Sequence, residues 1–232
     1  MSISNKRLLV AAELLGQTNS VADIGTDHAF LPIHLVKEGI AKKVIACDIA
    51  EGPLSVAEAN ITKYGLLDKI ELRLANGLLG LKPNEVEAIT ILGMGGETIA
   101  DILQISPWVK NPDIMLILQP MSCDDRLRDY LYNEGFEIIT EVGVESQGRF
   151  YTVMKVRFSG NLPKVGREYK YIGKLLEKPN QAAITFVENR LKSLTNCMCE
   201  VEKVERKQDL YNELKAAVAE IEKHLKSATV NR

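Results

Sequence analysis

Three acids and a glycine turn stand where a cofactor could be held. Asp23 lies in an apolar run, Val21-Ala22-Asp23-Ile24, and Gly25-Thr26-Asp27-His28 follows at once. A helix-like segment, Leu31 to Glu38, comes next, and a second apolar run, Lys43 to Cys47, ends in Asp48 and Ile49. Strand, glycine turn, helix, strand, acid is the arrangement of a nucleotide-type cofactor site at the carboxyl ends of a parallel sheet. Gly25 lets the backbone approach a ligand with no Cβ in the way. Asp48 is placed to hold ribose hydroxyls.

The residues after Gly25 separate two kinds of cofactor. A dinucleotide turn cradles a pyrophosphate on glycines at a helix N-terminus. Here the positions two and four beyond Gly25 are Asp27 and Ala29. A carboxylate at position 27 repels a pyrophosphate and suits a cofactor carrying a sulfonium and an amino group. The pattern therefore favours S-adenosylmethionine (SAM), with Asp23, Gly25 and Asp27 around its methionine part and His28 placed to steer cofactor or substrate. Taken alone, Asp23 and Asp27 could equally be turn residues after a buried strand, and His28 a structural histidine near a helix start.

Further candidates recur where later strands end. Asn76-Gly77 follows Ile70 to Leu74, and the Asn76 amide can meet an adenine edge. Gly93-Met94-Gly95-Gly96 follows Ala88 to Leu92 and allows close backbone approach. Gln119-Pro120 follows the apolar run Ile114 to Leu118; an amide there can orient a base, and proline can fix the loop or be cis. Asp27, Gln119 and Pro120 are expected nearest the reacting atoms. Singly, each of these segments also reads as an ordinary turn or strand end. Among the sequence patterns there is no Ser-His-Asp order, P-loop or zinc spacing, and Cys197-x-Cys199 has no histidines near it. No metal is expected.

Alternating helix and strand signals run to residue 158 and predict an α/β, Rossmann-like sheet, mostly parallel and seven-stranded, with an antiparallel edge. After Ser159 to Pro163 the strand signal ends. Lys164 to Glu177 reads as a short helix. Ile184, Val187, Leu191 and Leu194 and then Val204, Tyr211, Leu214, Val218, Ile221 and Leu225 form two apolar series in shifted phase. They predict two helices folded back on each other, coiled-coil-like, with a break near 195–199; one kinked helix is the alternative. The domains are then 1–160 and 161–232.

Hydrophobic residues make up 46% and charged residues 26% of the 232, ordinary for a soluble protein, and no segment is apolar and long enough to span a bilayer. Met1 to Leu15 reads as an amphipathic helix without a signal-peptide cleavage pattern. Four cysteines without paired spacing fit reduced thiols in a cytoplasm. The net charge of −2 hides an asymmetry: residues 1–154 carry 13 basic and 21 acidic side chains, and residues 155–232 carry 16 and 10. A basic second half suggests a polyanionic partner, though surplus lysine also serves solubility. Lys164, Arg167, Lys170, Lys174, Arg190 and Lys192 are the candidate phosphate contacts. The apolar seam covers few heptads, which favours packing inside a monomer over a dimer coiled coil.

Several segments carry a resemblance. Ala22-Asp23-Ile24-Gly25-Thr26-Asp27-His28-Ala29-Phe30-Leu31-Pro32-Ile33, Glu51-Gly52-Pro53, Leu74 to Leu78, Gly93-Met94-Gly95-Gly96-Glu97 and Leu116 to Pro120 resemble the bacterial tRNA adenine-22 N1-methyltransferases, the TrmK family. The resemblance runs from about Arg7 to Phe158, and the helical tail fits that family's C-terminal domain. It implies methyl transfer from SAM to adenine N1 in tRNA, with the base opened or flipped into the site and the tail gripping tRNA. The chain departs from the family pattern at two positions. Met121 stands where Asn is usual and Thr152 where Glu is usual; the first bears on base selection, and the cofactor side is untouched. A Rossmann oxidoreductase using NAD(P) and a non-enzymatic binding module on a degenerate cofactor fold are the alternative readings.

Overall fold

The computed structural model describes residues 5–162 and 164–230. Helix α1 (Lys6–Leu15) precedes the alternating units β1 (Thr18–Ile24), α2 (Phe30–Lys37), β2 (Ala41–Asp48), α3 (Glu51–Tyr64) and β3 (Ile70–Leu74). After a short 3-10 turn come β4 (Ala88–Gly95), α4 (Gly96–Gln104), β5 (Met115–Ser122), α5 (Asp124–Asn133), β6 (Phe136–Ser146) and β7 (Arg149–Phe158). The tail holds α6 (Tyr169–Ile172), α7 (Gln181–Glu202) and α8 (Gln208–Val230). The seven strands form one sheet in the order β3-β2-β1-β4-β5-β7-β6, parallel except for β7, which runs antiparallel to β5 and β6. The order reverses between β1 and β4, where open sheets of this kind bind ligands.

Strand alternation divides the core into two layers. Ile24, Ile91, Leu116 and Leu118 face α4 and α5, meeting Ile99, Leu103, Leu127 and Leu131. Val21, Val44, Ile117 and Val153 face α1 to α3, meeting Ala11, Leu35, Ala57 and Ile61. A third cluster (Leu175, Val187, Leu194, Leu214, Ala217 and Ile221) is the tail's own. Its α7 and α8 fold back on each other as expected.

Two tail expectations need correction. The break falls at 203–207, after the predicted 195–199. Thr195 lies within α7, its hydroxyl taken up locally by the Leu191 carbonyl at 2.8 Å, whereas Val204 leaves helical backbone at φ −114° and ψ 99°. In the stretch expected as a helix over Lys164–Glu177, only Tyr169–Ile172 is helical. Beyond its own hairpin, the tail meets the sheet: α7 packs on β6 and β7. A Cβ on Gly143 would lie 2.3 Å from the Ala183 backbone nitrogen, so β6 has no room there for any side chain. Asn180 caps α7 through the Ala183 N–H and donates to the Gly143 carbonyl at 2.8 Å.

A buried charge network fixes this junction. Arg128 is fully buried on α5, pairs with Asp124 at 2.6 Å and Glu141 at 2.7 Å, and donates to the Lys170 and Tyr171 carbonyls at 3.1 and 3.2 Å. Glu141 also accepts from the Thr152 hydroxyl at 2.5 Å and the Lys174 N–H at 3.0 Å. Gly173 lets the chain pass, since a Cβ there would sit 2.0 Å from the Glu141 carboxylate.

Candidate functional site

The glycine turn keeps its shape with few glycines. Gly25, Asp27 and Ala29 all have positive φ, at 74°, 51° and 57°, in alternation. Left-handed backbone at Ala29 costs roughly 1–2 kcal/mol, strain of a kind that collects at functional sites. The turn is held to β2 by the Gly25 and Thr26 N–H groups, which both donate to the Cys47 carbonyl at 2.9 and 3.0 Å.

Asp23 is buried, and its carboxylate accepts from the Thr90 hydroxyl at 2.6 Å. Loss of solvent pushes its pKa up, and the Thr90 bond opposes that shift. Asp27 is exposed, with His28 Nε2 3.5 Å from its carboxylate; the His28 ring lies 5.4 Å from that of Phe30. Asp48 joins two loops, accepting from the Asp27 N–H at 3.3 Å and the Ala50 N–H at 3.0 Å. Beside it Ile49 is 68% exposed, an apolar surface at the rim. Asn76 is exposed at the start of the 3-10 turn and makes no capping bond, and Gly77 is packed under Ile102.

The strand-four glycines lie on the strand and not in a loop. β4 runs to Gly95 with two register shifts, around Met94. At the bulge Gly93 takes φ 78° and would meet nothing with a Cβ, so its backbone faces open space. The Met94 methyl covers Gly25; a Cβ on Gly25 would come within 2.3 Å of it.

Gln119 proves to be an internal brace. It is fully buried, and its Oε1 accepts from the Gly93 N–H at 3.2 Å and from Arg7 Nη1 at 2.8 Å. Its Nε2 donates to the Pro120 carbonyl at 2.7 Å. In the structure this amide supports the β4 bulge. Pro120 is trans, as are all the described residues. Sequence reasoning missed Arg7, which also reaches Met121 Sδ at 2.8 Å and lies 5.2 Å over the Tyr151 ring. Arg7 and Gln119 lie over a hundred residues apart, so no local signal joined them.

The basic candidates of the tail divide. Arg190 is paired with Asp124, Lys170 with Glu213, and Lys174 with Glu177 at 3.8 Å. Lys164, Arg167 and Lys192 are exposed. A cavity of about 580 Å³ between α1, α2 and α3 touches none of the candidate residues at the strand ends.

The rim fits SAM better than a dinucleotide. Asp23, Asp27 and Asp48 gather at one set of strand ends, and among the described residues none is ion-paired to a lysine or arginine. An anionic rim without internal cations repels a pyrophosphate and attracts a sulfonium and an ammonium. The described residues contain no cluster of His, Cys, Asp or Glu suited to a metal.

This sheet and rim define a class I, Rossmann-like methyltransferase. Residues 4–154 match the family described as "Methyltransferase domain". A curated Bacillus subtilis (strain 168) protein named tRNA (adenine(22)-N(1))-methyltransferase is 39% identical over 150 residues, 65% of this chain and 63% of that protein's length. Streptococcus pneumoniae Sp1610, provisionally a tRNA (m1A22) methyltransferase, is 33% identical in its crystal structure, covers 94% of this chain and 99% of its own, and superposes with a TM-score of 0.82. TrmK of M. capricolum, solved with the cofactor product S-adenosyl-homocysteine, is 28% identical over 97% of this chain and 99% of its own, with a TM-score of 0.79. The chain belongs to the TrmK family of tRNA adenine-22 N1-methyltransferases.

Proposed function

We propose that this chain transfers the methyl group of SAM to N1 of adenine 22 in tRNA. The observation that carries the reading is the rim of Asp23, Asp27 and Asp48 with no internal cation, on a TrmK scaffold. SAM supplies an electrophilic methyl on a positive sulfur. Asp23, Asp27 and His28 surround its methionine part, Asp48 takes the ribose, and Ile49, Asn76 and Gly77 border the adenine. Gly93, Met94 and Gly95 form the floor of the site.

Adenine N1 attacks with a lone pair and has no proton to lose at neutral pH. An N–C bond forms, the C–S bond breaks, and its electron pair stays on sulfur. Such a step needs in-line placement and no strong base. That agrees with Gln119 and Pro120 acting as scaffold, and with Asp27 acting as an electrostatic partner of the cofactor.

The tRNA is gripped through its phosphates by the tail, with Lys164, Arg167 and Lys192 free to meet them. Tail residues 161–232 form the substrate-binding domain and work as part of a monomer, because the α7–α8 seam is filled within one chain. The reaction belongs in the cytoplasm, where tRNA is found; no described helix is long and apolar enough to cross a membrane. Calorimetry with SAM and with NAD tests the cofactor: SAM should bind and NAD should not. Binding of NAD alone would move the chain to the oxidoreductases.

A further inference from the structure

A second, smaller cavity of about 300 Å³ opens at the carboxyl end of β5. It is lined by Met121 from that strand end, Asp124 from the start of α5, Phe150 and Tyr151 from β7, and Phe186 and Arg190 from α7. The cavity adjoins the SAM rim, because Met94 pairs with Pro120 and Gly95 with Ser122 across β4 and β5. Its volume is at the small end of ligand pockets, about 300–1,000 Å³.

Its chemistry suits a flat, neutral, unstacked base. Phe150 and Phe186 are half-buried and offer aromatic faces, and the Arg190 guanidinium lies 5.5 Å over the Phe186 ring. The cavity's single acid, Asp124, is already paired to both Arg128 and Arg190, so it leaves no unpaired charge facing a purine. Met121 is 38% exposed at the mouth, with its sulfur held by Arg7, and a thioether packs well on an aromatic ring. Proteins read unstacked bases by stacking them on such side chains.

We propose that this cavity receives the target adenine, stacked against Phe150 and Phe186, so that helix α7 of the tail supplies one wall of the active site. This rests on the function proposed above. It also gives the buried junction a purpose. A wall contributed by a second domain must be held to within an ångström, since a misplacement of that size can cost a hundredfold in rate. The Arg128 network and the close fit of Gly143 to Ala183 hold it.

The test uses the full chain, SAM and unmodified tRNA. Phe186→Ala should lower kcat/KM for tRNA about 10- to 100-fold, the scale of one lost stacking contact. SAM affinity by calorimetry should not move, and Phe186→Tyr, which keeps an aromatic face, should restore the rate. With 2-aminopurine at position 22, emission in the Phe186→Ala complex should exceed that in wild type, because a quenching stack is gone. Phe150→Ala should behave alike and serves if the first variant fails to fold. A folded, SAM-binding Phe186→Ala with wild-type kcat/KM and emission would overturn the proposal while the function stands. A wild-type protein that leaves adenine 22 unmethylated would instead refute the function, and with it the pocket's occupant.

Discussion

Asp23 and Asp124 are both buried aspartates near strand ends, and their surroundings push them in opposite directions. Burial raises the pKa of Asp23, opposed mainly by a neutral hydroxyl, with no cation at hand. Burial acts on Asp124 as well, but Arg128 and Arg190 outweigh it and hold the carboxyl below its ordinary range. The carboxyl of Asp23 is thus left without a countercharge inside the protein. The junction with the tail is finished inside the protein. One carboxyl lacks a countercharge, and the other has two.

The largest expected effect comes from breaking the finished half. Arg128→Met leaves Asp124 and Glu141 buried without their shared cation, which should cost about 3–5 kcal/mol. Chemical denaturation measures it, and a loss under about 1 kcal/mol would mean the junction is not held by charge. Acid should act on the same element. A carboxyl with a lowered folded pKa stabilises above its unfolded value of 3.8 and loses that contribution as pH falls through the folded one. Tail undocking should therefore begin below about pH 4.

Next comes the cofactor. Asp48→Ala should weaken SAM binding about 10- to 100-fold, for the loss of a charge-assisted hydrogen bond of about 1.5–3 kcal/mol. Calorimetry showing no change would remove Asp48 from the site.

Asp23→Asn sharpens the contrast, because its sign is opposite to that of the junction. With the folded pKa above the unfolded one, the favourable contribution of Asp23 is complete below the ordinary carboxylate range. It is lost as pH rises through the raised value. The amide removes the burial cost that ionising Asp23 carries, so at pH above the raised value Tm without SAM should rise by a few degrees, the scale of about 1 kcal/mol in a chain of this size. SAM affinity should fall in the same variant. A lower Tm without cofactor would show that Asp23 is stabilised within the protein after all.

The smallest effects belong to the free cations. Alanine at Lys164, Arg167 or Lys192 should each weaken tRNA binding for any sequence and reduce the salt slope by about one. The same change at Lys174, which already has Glu177, should alter the slope less. Filter binding across a salt series distinguishes them.

The two halves also differed in how far they could be read from sequence. The rim lies within short stretches, so the acids at 23, 27 and 48 and the glycines were legible together. The sheet was legible from its alternation. What escaped was assembled over long separations. Arg128 with Asp124 reads as an ordinary pair one helical turn apart; only Glu141 and the Lys170–Tyr171 carbonyls make it a buried junction. In sequence Gln119 reads as a strand end, yet β5 runs on to Ser122, and its oxygen is occupied by the Gly93 N–H and by Arg7 from the far end of the chain. Arg190 and Lys170 counted as free cations because charge balance carries no information about partners across a fold.

The most direct test of the central claim is incubation with methyl-labelled SAM and unmodified tRNA, followed by nucleoside mass spectrometry and mapping of the labelled position. The structure and the family together predict labelled 1-methyladenosine at position 22. Label in another nucleoside, in protein or in a small metabolite, with none in 1-methyladenosine, would contradict it.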